Sequence, residues 1–142
     1  MNLTSLKERL LDLGEKVGLK VESETADSLS FGTEITAKQY FDGSIYFHIV
    51  VYRTGTLHVF FTFNEIERTY DNLYLINTFN SENPWFRAYI TNINDKDFLE
   101  LHYVSIDAET EDEVSDTIGY LLGDLLKDNI LKYLTPIVKA GK

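Results

Sequence analysis

Read by hydrophobic spacing, the chain moves from a helical period to a strand period and back again. Leu3, Leu6, Leu10, Leu13 and Val17 recur at three- and four-residue steps, which lines one side of a helix. Ser5 with Glu8 has the spacing of a capping box, and Gly18 suits the left-handed position just past a helix end. A short extended piece at residues 19–22 follows, then a polar loop through Thr25 and Ser28. From Phe31 the period becomes two. Phe31, Ile35, Ala37 and Phe41, then Ile45, Phe47, Ile49 and Val51, then Leu57, Val59, Phe61 and Phe63 alternate with polar or aromatic neighbours. Odd positions therefore form the buried face of three strands.

That parity constrains the turns. A two-residue loop at Thr54-Gly55 would set core residues opposite surface ones. The odd-length loop Thr54-Gly55-Thr56 avoids this and predicts Val51 opposite Val59 and Ile49 opposite Phe61. Asp42-Gly43 meets the same conflict, so a bulge or a longer loop is expected there. Asp71 is placed as the N-cap of a helix reaching about Ser81, stopped by Asn83-Pro84. Leu73, Ile76, Asn77 and Asn80 fall on one stripe of it, with Phe79 beside them, and the asparagines need hydrogen-bond partners if buried. Phe86, Ala88 and Ile90 face Leu99, Leu101 and Tyr103 in a second hairpin. Its parity requires an even loop, which Asn94-Asp95 supplies, pairing Ile90 with Leu99 and Ala88 with Leu101.

The last helix is the clearest element. Thr110 with Glu113 forms a capping box, and acidic Glu111, Asp112 and Asp116 sit at the positive end of its dipole. Val114, Ile118, Leu121, Leu122, Leu125, Leu126, Leu134 and Val138 form its apolar side, while Lys127, Lys132 and Lys139 collect near its end. From 111 to 135 it would run ~37 Å, with Pro136 ending or bending it. No repeat, linker or low-complexity tract interrupts the chain. The expected fold is a single α+β domain over residues 1–142, an antiparallel sheet with helices on one face, in the order α-β-β-β-α-β-β-α.

Composition narrows the function. The 142 residues are 44% hydrophobic and 13% aromatic, enough for a packed core. Thirteen basic against twenty-three acidic residues leave a formal charge of −10, which repels phosphate backbones and speaks against nucleic acid as a partner. No cysteine is present, so disulfides, thiol nucleophiles and thiolate-bound zinc are excluded. No signal peptide and no apolar run near ~20 residues is evident, so a cytoplasmic protein without a membrane partner is expected.

Residues 73–80, Leu-Tyr-Leu-Ile-Asn-Thr-Phe-Asn, followed by Phe86-Arg87-Ala88-Tyr89-Ile90, give an L-x-x-x-N-x-x-N segment leading into a strand. With the element order, this resembles the bacterial YbjN-like family and the fold of type III secretion chaperones. The resemblance covers most of the chain as topology and about twenty residues as motif. It implies a non-enzymatic, chaperone-like protein-handling module, often a homodimer.

The chemistry-bearing residues point the same way. Strand spacing separates His48 and His58 by ~13 Å, and His102 lies on the other hairpin without a partner at motif spacing, so no metal site is expected. Read as a calcium loop from Asp107, the acidic cluster has Asp112 where glycine belongs and Ile118 where glutamate belongs. Gly119 and Gly123 suit close helix packing, or a homodimer contact. There is no serine elbow, glycine-rich phosphate loop or H-E-x-x-H, so no catalytic residue and no cofactor is assigned. What stands out is the even face. Tyr46, His48, Tyr52, His58 and Phe60, with Trp85 and Tyr89 from the second hairpin, point away from the core where threonine, lysine and glutamate are usual. Strand propensity alone favours tyrosine there; a contiguous aromatic face otherwise marks contact with a protein or peptide. The leading expectation is therefore a partner held on this face or on an edge strand. The alternative is a small-molecule sensor or enzyme with a pocket between sheet and helices.

Overall fold

Residues 1–36, 44–84, 86–104 and 108–125 are described by the structure, a computed structural model. Helix α1 spans Leu3–Leu13 and helix α2 Tyr70–Glu82, while α3 is described over Glu111–Leu125. The strands are β1 (Lys20–Glu24), β2 (Ser28–Thr36), β3 (Ser44–Tyr52), β4 (Leu57–Glu65), β5 (Phe86–Ile93) and β6 (Lys96–Val104). They form one sheet in the order β1-β2-β3-β4-β6-β5, antiparallel throughout. The fold is α+β in the order expected, with the short extended piece before β2 joining as a sixth strand.

Alternation sets the sides. Phe31, Ile35, Ile45, Phe47, Ile49, Val51, Leu57, Val59, Phe61 and Phe63 are all buried, as their odd parity requires. Leu6 and Leu10 of α1, Ile76 and Phe79 of α2, and Val114, Ile118, Leu121 and Leu122 of α3 join them in one core. Each such side chain contributes roughly 1.5–3 kcal/mol relative to an exposed one. The buried apolar residues of the described helices thus lie on the odd side.

The turns follow parity, with one shift of register. Tyr52 N–H donates to Thr56 O at 2.9 Å, so the β3–β4 loop is Arg53-Thr54-Gly55, odd in length but one residue earlier than expected. Val51 therefore faces Leu57, Ile49 faces Val59 and Phe47 faces Phe61. Gly55 decides this: with φ of +99° it takes the left-handed third position after a turn closed by its own N–H to Tyr52 O. A Cβ there would also collide with the carbonyl of Ala108. The β5–β6 turn is as expected, Asn94 and Asp95 both at positive φ, with Ile90 opposite Leu99 and Ala88 opposite Leu101.

Helix ends differ more. Asn2, not Ser5, caps α1, accepting from Ser5 N–H at 3.1 Å. The α-helix stops at Gly14, and a 3₁₀ turn, Glu15–Val17, carries the chain to left-handed Gly18. Thr69 caps α2 two residues before Asp71, accepting from Asn72 N–H at 3.2 Å. Packing then buries Asn72, Ile76 and Phe79 while Leu73 and Asn77 face solvent. The Thr110–Glu113 box forms as expected, although Glu113 reaches back to the Glu109 N–H at 2.8 Å rather than to that of Thr110. Gly119 lies 3.8 Å (for an added Cβ) from Leu13, an ordinary contact, and Gly123 meets nothing within 4 Å, so among the described residues neither glycine marks a close approach. The Asp42-Gly43 turn and the helix beyond 125, with Pro136, lie outside the described residues.

β1 and β5 are the sheet edges. β1 is exposed throughout, and charge (Lys20, Glu22, Glu24) with a bulge between Val21 and Ser23 guards it against pairing. On β5 the guard is an amide. Asn80 of α2 donates Nδ2–H to Ala88 O at 2.9 Å and accepts from Ala88 N–H at 2.7 Å, standing in for a neighbouring strand. Replacing Asn80 by Leu should cost about 1–3 kcal/mol in urea unfolding, the penalty for orphaned backbone groups. Asn77→Leu, on the solvent side of the same helix, should change stability by no more than about 0.5 kcal/mol.

Candidate functional site

The even side of the sheet is built by register. Gly32 faces His48, His48 faces Phe60, Phe60 faces His102 and His102 faces Arg87, one row running across five strands. The next row is Glu34, Tyr46, Thr62, Glu100 and Tyr89. Of the residues expected to form a docking face, Tyr46, His48, Tyr52, His58, Phe60 and Tyr89 do lie together on this side. Trp85 is outside the described residues.

The rings touch in sequence. Tyr46 and His48 have centroids 6.2 Å apart, His48 and Phe60 6.0 Å, and Phe60 and His102 4.4 Å with planes only 7° apart. Tyr52 stands edge-on to His58 at 6.2 Å. Neighbouring rings cover part of each other, so most are half-buried, while Tyr52 is 42% exposed at the end of β3.

The histidines depart from expectation. With the β3–β4 register as found, His58 faces Val50, only two residues along β3 from His48, so the two are closer than the ~13 Å expected. His102 does have a histidine partner: β6 lies beside β4, and His58 Nδ1 is 3.1 Å from His102 Nε2. Neither hairpin contains this contact by itself, so no local spacing in the sequence announces it. Among the described residues no group of three or more His, Asp or Glu side chains is placed to hold a metal ion.

Beside Glu34 at the end of its row, two further carboxylates enter the face, Glu22 bound to one hydroxyl and Glu100 to two. The β1 bulge adds Glu22 as the extra residue and turns it inward over Gly32. There it accepts from the Tyr46 hydroxyl and sits 2.7 Å from His48 Nδ1. Gly32 has no side chain because none fits: a Cβ would overlap both Glu22 and Tyr46. Glu100 accepts from Tyr89 OH at 2.5 Å and from Thr62 Oγ1 at 3.2 Å. Arg87, exposed at the β5 end of the row, brings the opposite charge. Burial, then the hydrogen bond and charge of Glu22, and finally Glu34, push the Tyr46 hydroxyl up to about 12. Burial and Glu100 raise Tyr89 in the same way.

A separate cleft of about 300 Å³ lies between α3 and the β5–β6 hairpin, lined by Phe86, Tyr103, Thr117, Tyr120 and Leu121. The described residues of its lining offer hydroxyls and rings but no carboxylate, imidazole or cation. No described helix is long and apolar enough to cross a membrane. The chain matches no family model, no curated protein and no solved structure.

The tyrosine shift has a defined sign. With its folded value raised, Tyr46 stabilises the fold fully below pH 10, and this is lost as pH rises from 10 towards about 12, because the unfolded chain ionises first. Tyr46→Phe should therefore flatten the alkaline fall in melting temperature. It should also remove one late-ionising phenol, leaving that of Tyr89, from the ultraviolet titration of the nine tyrosines.

Proposed function

We propose that this chain is a non-enzymatic, chaperone-like binding module that holds an extended, basic protein or peptide segment on the even face of its sheet. The observation that carries the reading is the contiguous row of rings on a side where the described helices bury nothing. A row of this kind offers a partner apolar area at low entropic cost, since the rings already hold one another in place. Lys or Arg side chains of a partner would lie on ring faces. Glu22 and Glu100, whose donors include the neutral hydroxyls of Tyr46, Tyr89 and Thr62, remain available to meet their charge. The net charge of −10 attracts the same partners from a distance.

The resemblance to YbjN-like proteins and type III secretion chaperones supports this reading and adds a bacterial cytosolic setting. Of the two asparagines that carry the motif, Asn80 has a structural role at the β5 edge, and Asn77 faces solvent. Two copies meeting through the ring face would give a homodimer, which light scattering separates from peptide binding. The cleft beside α3 is the place where a small molecule would sit in the alternative reading; the described part of its lining offers the hydroxyls of Tyr103, Thr117 and Tyr120 as polar groups.

The test is fluorescence anisotropy with extended peptides graded in Arg and Lys content. Binding should strengthen with basic residues and weaken with added salt. Joint replacement of Tyr46, Tyr52 and Phe60 by Ser should weaken it about tenfold or more while leaving the circular dichroism unchanged. Equal binding by the triple variant, or no saturable binding by any basic peptide, would remove the ring face as the docking surface.

A further inference from the structure

The contact between His58 and His102 has a geometry that a pair of surface histidines does not require. Their ring centroids are 5.3 Å apart with planes 19° apart, and His58 Nδ1 lies 3.1 Å from His102 Nε2. The centre-to-centre separation exceeds the N···N distance by close to one ring's breadth. The two nitrogens therefore lie near the line joining the ring centres and meet head-on. One hydrogen fits between them, donated by one ring and accepted by the other. Two do not. Ligands of one tetrahedral ion converge on it at an angle instead, so this is a site for a proton rather than a metal.

Phe60 ties the pair to the rest of the face. It stacks on His102 at 4.4 Å and 7°, and its plane is 12° from that of His58 at 6.1 Å. Rotation of His102 out of plane breaks that stack, and rotation of His58 takes its ring out of the plane shared with Phe60. The groups facing the pair are few. Tyr52 of β3 meets His58 edge-on, and Val50 of β3 lies opposite it. From β6 Glu100, and from β5 Arg87, act on His102 with opposite signs. Tyr89 of β5 is bound to Glu100, and His48 of β3, held by Glu22 of β1, lies on the far side of Phe60. No cation is paired with Glu100 among the described contacts that could fix the pair in a charged state.

We propose that His58 and His102 are a proton-sharing latch across the β4–β6 seam. The latch is closed, with Phe60 stacked, while the pair holds at most one extra proton. It opens when both imidazoles are charged. The first added proton keeps the N–H···N bond and makes it charge-assisted, and therefore stronger. The second sets N–H against N–H and places two positive charges in contact, so the rings must turn apart and uncover Phe60. Burial, followed by the neighbouring His58, lowers the affinity of His102 for its proton, in the sense this requires. The folded chain then binds fewer protons than the unfolded one, and stability falls as pH drops below the ordinary histidine value of 6.5. The inference stands on geometry and does not depend on which partner, if any, the face holds.

The experiment is a pH titration of the full chain with ¹⁵N-labelled histidine, following the ring nitrogens together with the Phe60 ring signals. His58 Nδ1 and His102 Nε2 should shift together in a first step. A second step should come at least about one pH unit lower, and Phe60 should move only in that second step. In His102→Phe, His58 should return to a single step. If that variant does not fold, His58→Phe gives the same readout on His102. Single, independent steps for both histidines in the unaltered chain, unchanged when either partner is removed, would overturn the proposal.

Discussion

β4 and β6 are separated along the chain by α2 and β5, yet they lie side by side with Phe61 opposite Leu101. Every other pair of neighbours in the sheet is consecutive in sequence. This seam makes one sheet of two antiparallel groups, and its parity has to agree with both. Odd residues of β4 already face inward through their pairing with β3. On β6 the inward residues are also odd, Leu99 and Leu101, so Phe61 and Leu101 close one core and the opposite residues close one outer face. A slip by one residue would bring His102 into the core and expel Leu101. Burial of apolar area on the odd side thus sets the register of the polar side, where no hydrophobic force selects it.

The aromatic face is a by-product of that constraint and also more than one. Strand propensity can explain tyrosine and phenylalanine at even positions. It does not explain why Gly32 occupies the row beside His48, where a side chain would displace Glu22. Nor does it explain a bulge that adds a residue to β1 and spends it on the Tyr46 hydroxyl and the His48 ring. These are devices for placing polar groups among rings. They orient the rings and leave carboxylate charge beside them.

Local chemistry and distant packing divide the molecule between them. Turn parity, the Asn94-Asp95 hairpin and the cap at Thr110 depend on residues a few positions apart, and each was legible from spacing. The caps of α1 and α2 were misplaced because several residues near each start could accept the first N–H. Asn2 and Thr69 take the role by accepting from the Ser5 and Asn72 N–H groups. The β3–β4 loop was displaced by one residue because parity fixes only whether its length is odd. The left-handed conformation of Gly55, wedged against Ala108, fixes where it lies.

By itself the sequence determined which strand residues are inside, because alternation is a property of a single segment. The buried stripe of α2, with Asn72 in and Leu73 and Asn77 out, was settled by packing. The sequence also determined that the even side is aromatic and the whole chain acidic. Only the tertiary structure decided that β6 lies against β4, and with it the meeting of His58 and His102, the stack on Phe60, and the grip of Asn80 on the edge of β5. Those contacts join residues far apart in the chain. The free energy that selects them comes from burial of the whole core, and no short pattern of residues carries that sum.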